Sequence, residues 1–294
     1  MRVSGQHYMS STRSKLMSYR DKHILLASKH KKENVIAPII KQIVGAYIDV
    51  APDFDTDVFG TFTGEIPRSA SPKETVINKA RTAIKQYGYH YAIASEGSFN
   101  PHPYNPFASI NTELVAFVDN VNQLSIIEHY TTAETNFMHF DLKSENEPLD
   151  FLQHMMFPSH AVIVSAIDAN LIISKGVTDI NSLRNSIKNG FELSKTVRVQ
   201  TDMRAMHNPT RMKSIEIATQ KLAMRITTSC PKCDKLGYGE ISYRGKLPCK
   251  MCSSETEQYL NIVHSCIHCD YYQTLPRHDN LTSADPANCP YCNP

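Results

Sequence analysis

The first 229 residues of this 294-residue chain contain no cysteine; all eight cysteines lie beyond them. Disulfide frameworks do not sort themselves this way, so the cysteines read as metal ligands in a reducing, cytoplasmic compartment. No run of about 18 apolar residues is present, and no membrane span is expected. The opening MRVSGQHYMSSTRSKLMSYRDKH lacks the apolar segment of a secretory signal. Arg2, Arg13, Lys15, Arg20 and Lys22 make residues 1–22 a basic extension, read as disordered or surface-docked rather than as an organellar transit peptide. Strong charge of either sign is also missing. The formal net charge is +2, and eight thiolates holding two Zn²⁺ would bring it to about −2. That is not the charge of a protein that coats nucleic acid. There is no internal repeat and no low-complexity tract. With 41% hydrophobic residues, the chain can bury one sizeable core and carry a small appended module.

Strands and helices alternate from residue 23 to 226, which predicts an α/β domain with a mixed sheet flanked by helices. Strands are expected at HILLAS (23–28), AYIDVA (46–51), YHYAIAS (89–95) and TVRVQTD (196–202). Hairpins are expected at LVAFVDN/LSIIEHY and AVIVSA/LIISKG. The apolar segment from Glu33 to Val44 contains Pro38, so its helix either kinks there or starts near Ala37. Glu74 to Gln86 is amphipathic and should stop at Gly88; residues 179–189 should stop at Gly190. Asn208-Pro209 opens a helix to about Thr227, with Asn as N-cap and Pro in the first helical position. Residues 52–73 and EGSFNPHPYNPF read as loops, the first decorated by Asp53, Asp55 and Asp57.

Residues 227–294 carry four CxxC knuckles: Cys230/Cys233, Cys249/Cys252, Cys266/Cys269 and Cys289/Cys292. Two sulfurs at one tight turn reach one tetrahedral Zn²⁺ and a second turn completes the site, so four knuckles make two structural zinc sites. Four thiolates leave no coordination position for a substrate. Sequential pairing, giving two consecutive zinc ribbons, is the expectation; nested pairing, first with fourth and second with third, is the alternative. The module has six Lys/Arg and seven Asp/Glu, and with both zinc sites its charge is about −5, which repels phosphate. Nucleic acid is therefore not the expected partner; the module is read as a protein contact, to a second copy in a homodimer or to another protein, or as plain stabilisation.

Two segments of the larger domain resemble the inosine-triphosphate pyrophosphatase superfamily. One is Glu74-Thr-Val-Ile-Asn-Lys79-Ala-Arg81 followed, after a strand, by Ala92-Ile-Ala-Ser-Glu96-Gly-Ser; the other is ILLAS with the basic loop and Glu33. The lone Glu96 before Gly97 is closer to the branch active on non-canonical purine triphosphates. The opening loop departs from that family, with Lys29-His30-Lys31-Lys32 in place of an asparagine and a small residue, and the paired acids of the turn are reduced to Ser95-Glu96. The SEGSF-PHP turn, the TDMRA-HNPTRM segment and the cysteine-rich end in CNP are similar, over the whole chain, to a domain family of unknown function. The first resemblance implies an ITPase-like fold and Mg²⁺-dependent hydrolysis of a phosphoanhydride in a small-molecule nucleotide.

The residue types fit that chemistry, which needs carboxylates for Mg²⁺, cations for phosphate and a positioned water. On the family's pattern Glu96 is the base or a metal ligand, with Glu33 and Glu74 as ligands. Lys31, Lys32, Lys79 and Arg81 supply positive charge, joined by Arg204 and Arg211 near the helix that starts at Asn208. His102 flanks the unmatched insert and is kept as a site candidate. Each has a plainer reading: Glu74 as a first-turn residue complementing the helix dipole, Lys79 and Arg81 as solvated helix residues, the basic loop as an exposed surface. Glu96, a charge ending an apolar strand, has no obvious packing role. A cysteine nucleophile is excluded, and SEGSFNP is not the G-x-S-x-G elbow of a serine hydrolase. The rival functions are a nucleotide binder without turnover and a zinc-ribbon adaptor.

Overall fold

The computed structural model describes residues 19–60, 70–102 and 105–294. The chain divides into two compact units, Arg20–Met224 and a second formed by Arg225–Pro294 with Tyr19. No helix among the described residues is long and apolar enough to cross a membrane.

The larger unit begins with β1 (His23–Ala27), α1 (Glu33–Ile39) and β2 (Tyr47–Val50). Pro38 lies inside α1, and the helix neither kinks to a halt there nor starts late. A proline lacks the N–H that an α-helical turn needs; beyond it Ile40–Val44 widens into a π-helical turn, closed by Gly45 at φ 76° donating to the Ile40 carbonyl. α2 (Pro72–Tyr87) then starts on a capping box, Ser71 and Glu74 satisfying each other's backbone N–H, and stops at Gly88 with φ 71°.

β3 (Tyr91–His102), β4 (Asn105–Asp119) and β5 (Leu124–Thr132) complete a five-stranded sheet of order β2-β1-β3-β4-β5. β1 is parallel to β2 and β3; β3–β4 and β4–β5 are antiparallel. Residues 96–102 and 105–107 of the EGSFNPHPYNPF segment are therefore strand rather than loop. They form the distal half of a long ribbon, with Glu96 opposite Leu114 and Phe99 opposite Asn111. Both faces of this ribbon are partly covered, so it shows no clean polar–apolar alternation, and Pro101 sits where the register is irregular. Val76, Ala80, Ala83 and Ile84 of α2 pack on Leu25, Ala27, Ala92, Ala94, Leu114, Ala116 and Val118.

A second, four-stranded antiparallel sheet has the order β6-β9-β7-β8, from β6 (His139–Leu142), β7 (Val162–Ala166), β8 (Leu171–Val177) and β9 (Val197–Thr201). The domain thus holds two sheets rather than one mixed sheet. Leu183 and Ile187 of α3 (Ile180–Phe191) cover Val162, Val164, Val197 and Val199. Gly190 does not end α3. It lies within the helix, and the position is glycine because a Cβ there would come within 2.9 Å of Val197. α4 (Pro209–Thr227) follows, its Arg211 N–H capped by the Asn208 side chain at 2.9 Å.

The smaller unit is a meander of β10 (Gly239–Pro248), β11 (Glu255–Ser265) and β12 (Tyr272–Pro276). Gly239 pairs with Ser265 at one end, while Pro248 pairs with Glu255 at the other; Tyr272 returns beside Ser265.

Candidate functional site

Two clusters of chemistry-bearing side chains stand out, one in each unit. In the larger unit, β1 has β2 on one side and β3 on the other. The crossover through α1 runs from β1 to β2 and the crossover through α2 runs back from β2 past β1 to β3, in opposite directions, and right-handed crossovers then place the two helices on opposite faces. Such a switch point opens a crevice beyond carboxyl strand ends, here past the end of β1 and alongside β3, which runs on to His102. The residues there are Ser28 to Lys32 after β1 and Ser95 to Gly97 on β3.

Alternation along β3 sends Glu96 to the α2 side with Ala92 and Ala94, and Ser95 and Gly97 to the other. On the α2 side the Lys79 ammonium meets the Glu96 carboxylate at 2.5 Å, with side chains only 7% and 4% exposed. On the other side Lys32 donates to the Ser95 hydroxyl at 2.8 Å. Beside it Arg211 grips Glu113 through Nε at 2.6 Å and through its other nitrogen at 3.3 Å, and also donates to the Met203 carbonyl. Gly97 makes room for this pair: a Cβ there would lie 2.5 Å from both the guanidinium and the carboxylate.

Burial lowers the pKa of Lys32 from 10.5 to about 7, and Arg211 and Lys79 push the same way against Glu113 and Glu96. The Ser28 hydroxyl and the Asn111 side-chain oxygen are both buried without a hydrogen-bond partner among the described residues. Asn111 lies two residues before Glu113 on β4, hence on the same face. Uncommitted polar atoms on both sides of a cationic cluster are the features expected of a site that completes its hydrogen bonds with a ligand.

The TDMRAMHNPTR segment forms a wall of this site. Asp202 is fully buried and receives both the backbone N–H and the guanidinium of Arg204, at 3.1 and 2.6 Å. The Asn208 side chain caps α4 and also donates to the Asn136 side-chain oxygen at 2.9 Å.

The sequence candidates divide. Lys32, Lys79, Glu96 and Arg211 come together in the buried cluster. Glu74 is exposed, with its carboxylate held by the Ser71 N–H and hydroxyl at 3.0 and 2.7 Å, bonds that lower its pKa. Arg81 is exposed on the outer side of α2, and Glu33 is half-buried at the head of α1. Lys31 has φ 55° and Arg204 is tied to Asp202. His102 closes β3, but its side chain lies outside the described residues. Asp55 pairs with Lys29 on the surface at 2.9 Å. Sequence reading missed Glu113, Ser95, Asn111, Asp202 and His207. Glu113 could have been found as a lone charge within the apolar run of β4, and Asp202 and His207 within the TDMRA-HNPTRM segment.

In the smaller unit the sulfurs gather as Cys230/Cys233/Cys266/Cys269 and Cys249/Cys252/Cys289/Cys292, the ligand atoms of each set within 4.8 Å of one another. The first knuckle pairs with the third and the second with the fourth, so neither sequential nor nested pairing holds. The meander explains the crossing. Each strand reverses direction, so odd knuckles collect at one end of the sheet and even knuckles at the other. The sulfur–sulfur separations are 3.8 and 3.6 Å in each set. A tetrahedral site with Zn–S of 2.3 Å has edges of about 3.8 Å, whereas a disulfide would be near 2 Å. Backbone N–H groups of Lys232, Met251 and His268 point at the sulfurs of Cys230, Cys249 and Cys266 at 3.4, 3.4 and 3.2 Å, stabilising thiolate charge. The two four-cysteine groups fit two structural zinc ions.

A family model described as a domain of unknown function (DUF6671) matches residues 79–294, and the chain belongs to that family. The match takes in both cysteine sets together with Lys79, Glu96, Glu113, Arg204 and Arg211, and leaves out Lys31, Lys32, Glu33 and Glu74. No curated protein and no solved structure matches the chain.

Proposed function

We propose that this DUF6671 member is a nucleotide phosphohydrolase whose α/β unit takes the phosphates of a small-molecule nucleotide at the β1/β3 switch point, with the zinc module structural. The observation that supports this most is the cluster at that crevice: Lys32, Lys79 and Arg211 assembled around Glu96 and Glu113, with the Ser28 hydroxyl uncommitted. The resemblance of the α2–β3 segment to inosine-triphosphate pyrophosphatases points the same way.

In this reading the cations hold phosphate oxygens, and Glu96 holds a water against the phosphoanhydride. Glu96 and Glu33 are the carboxylates that would bind Mg²⁺, which neutralises phosphate charge when bound. Among the described residues only the cysteine sets bring three ligand atoms close together. That suits Mg²⁺, which is held by one or two carboxylates plus substrate phosphates rather than by a protein cage.

The Lys79–Glu96 contact also favours a second reading. A carboxylate oxygen already taken by the Lys79 ammonium is less free to hold a water, so a binder without turnover would have the same geometry. Screening nucleotides with Mg²⁺ for both thermal shift and phosphate release separates the two. Turnover that falls by about a hundredfold or more in Glu96→Gln, with the fold intact, is the expected result for the hydrolase. Thermal shift without release identifies the binder, and neither response to any nucleotide overturns both.

A further inference from the structure

Beyond the buried cluster, a second group of basic side chains lies at its outer edge, and the nucleotide reading above does not use it. His207 lies on the connection between β9 and α4, three residues after Arg204, and donates its backbone N–H to the Arg204 carbonyl at 2.9 Å. The two side chains converge over β8. A Cβ on Gly176 would lie 3.0 Å from the His207 ring and 3.4 Å from the Arg204 guanidinium. Gly176 has φ 73°, so this strand position is both left-handed and bare, and the ring and guanidinium rest on its backbone.

Lys31 lies on the β1–α1 loop, and its charge reaches the His207 ring. It holds φ 55°, a conformation rare for a residue with a side chain. Its charge and that of Arg204 repel a proton on His207; burial is the larger cause of that ring's lowered pKa, and Asp202 opposes it. The Arg204 guanidinium stays 26% exposed although Asp202 beneath it is fully buried.

Charge distinguishes the two groups. In the inner cluster Glu96 and Glu113 neutralise Lys79 and Arg211, leaving only Lys32. At the outer group Asp202 takes the Arg204 guanidinium in the same way, leaving Lys31 and a protonatable His207. Like charges held together at a partly open surface repel one another unless an anion joins them.

We propose that His207, Arg204 and Lys31 form an outer anion subsite that binds a phosphate group, with His207 donating to a phosphate oxygen. The site rests on the same crevice as the nucleotide reading but does not need turnover. Its shared chemistry is a phosphate dianion, supplied by free pyrophosphate or by the chain of a nucleotide.

The test is pyrophosphate titration of the full, zinc-loaded chain, with affinity read by calorimetry and the His207 ring followed by NMR, its signal assigned through His207→Gln. Pyrophosphate should raise the pH at which that ring titrates, and Arg204→Met and Lys31→Met should each weaken binding about tenfold or more. A buttressing His207 would leave that titration unmoved. Unaltered His207 titration, unaltered affinity in His207→Gln, or an equal response to chloride at matched ionic strength overturns the subsite. A nucleoside monophosphate arm and a triphosphate arm, run beside pyrophosphate, identify the source. Pyrophosphate binding through His207 without nucleotide turnover leaves the subsite standing and removes the hydrolase.

Discussion

Lys32 shows how much a single side chain can carry that its sequence context hides. The basic loop was legible as charge in Lys29-His30-Lys31-Lys32, but nothing in four consecutive cationic residues says which one turns inward. The choice depends on Ser95, 63 residues away. Its folded pKa of about 7 lies below the ordinary 10.5. Between those values the unfolded chain holds a proton that the folded one releases, so this residue makes stability rise with pH from about 7 towards 10. Urea unfolding at pH 7 and at pH 9.5 should show that rise in the parent and its loss in Lys32→Met. At pH 7 the variant should be at least as stable, because an apolar side chain of similar volume escapes the desolvation cost. Its affinity for pyrophosphate should nonetheless fall about tenfold or more.

At the scale of elements, α2 was readable because its signals are local: Ser71 and Glu74 at one end, Gly88 at the other, one apolar stripe between. β1, β2 and the two hairpins were readable for the same reason. The distal half of the β3–β4 ribbon was not. Gly97, Asn100 and Pro101 are individually loop residues, and what makes them strand is pairing with β4 and burial of Glu96 and Glu113 against cations from α2 and α4. Glu96 accordingly sits within a strand, not at its end. Gly97 is the position on which this ribbon and α4 both depend. Gly97→Ala places a methyl 2.5 Å from the Arg211 and Glu113 charges. It should cost about 2–4 kcal/mol by denaturant unfolding, while Ser98→Ala next to it changes stability by no more than about 0.5 kcal/mol.

For the molecule as a whole, eight cysteines in four knuckles pointed to two four-cysteine groups that could hold zinc, but not to their connection. That connection depends on the three strands between knuckles, and strands can be read as spacers only once their antiparallel order is known. The crossing has a stoichiometric test. Replacing Cys230, Cys233, Cys266 and Cys269 together with serine removes one complete crossed site, so elemental analysis should still find one zinc per chain, against two in the parent. Sequential pairing would break both sites and leave none.

The crossing also bears on how metal is acquired while the chain is being made. The first two knuckles emerge from synthesis before the others, and four thiolates in solution will capture zinc whatever their eventual partners. A site closed at that stage would be wrong. β10, ten residues long, holds its two knuckles roughly 30 Å apart once extended, too far to share one ion. Extended pairing with β11 thus acts as a gate on metal loading: neither correct site can close until the hairpin has formed, and the first is complete only when Cys269 has joined it.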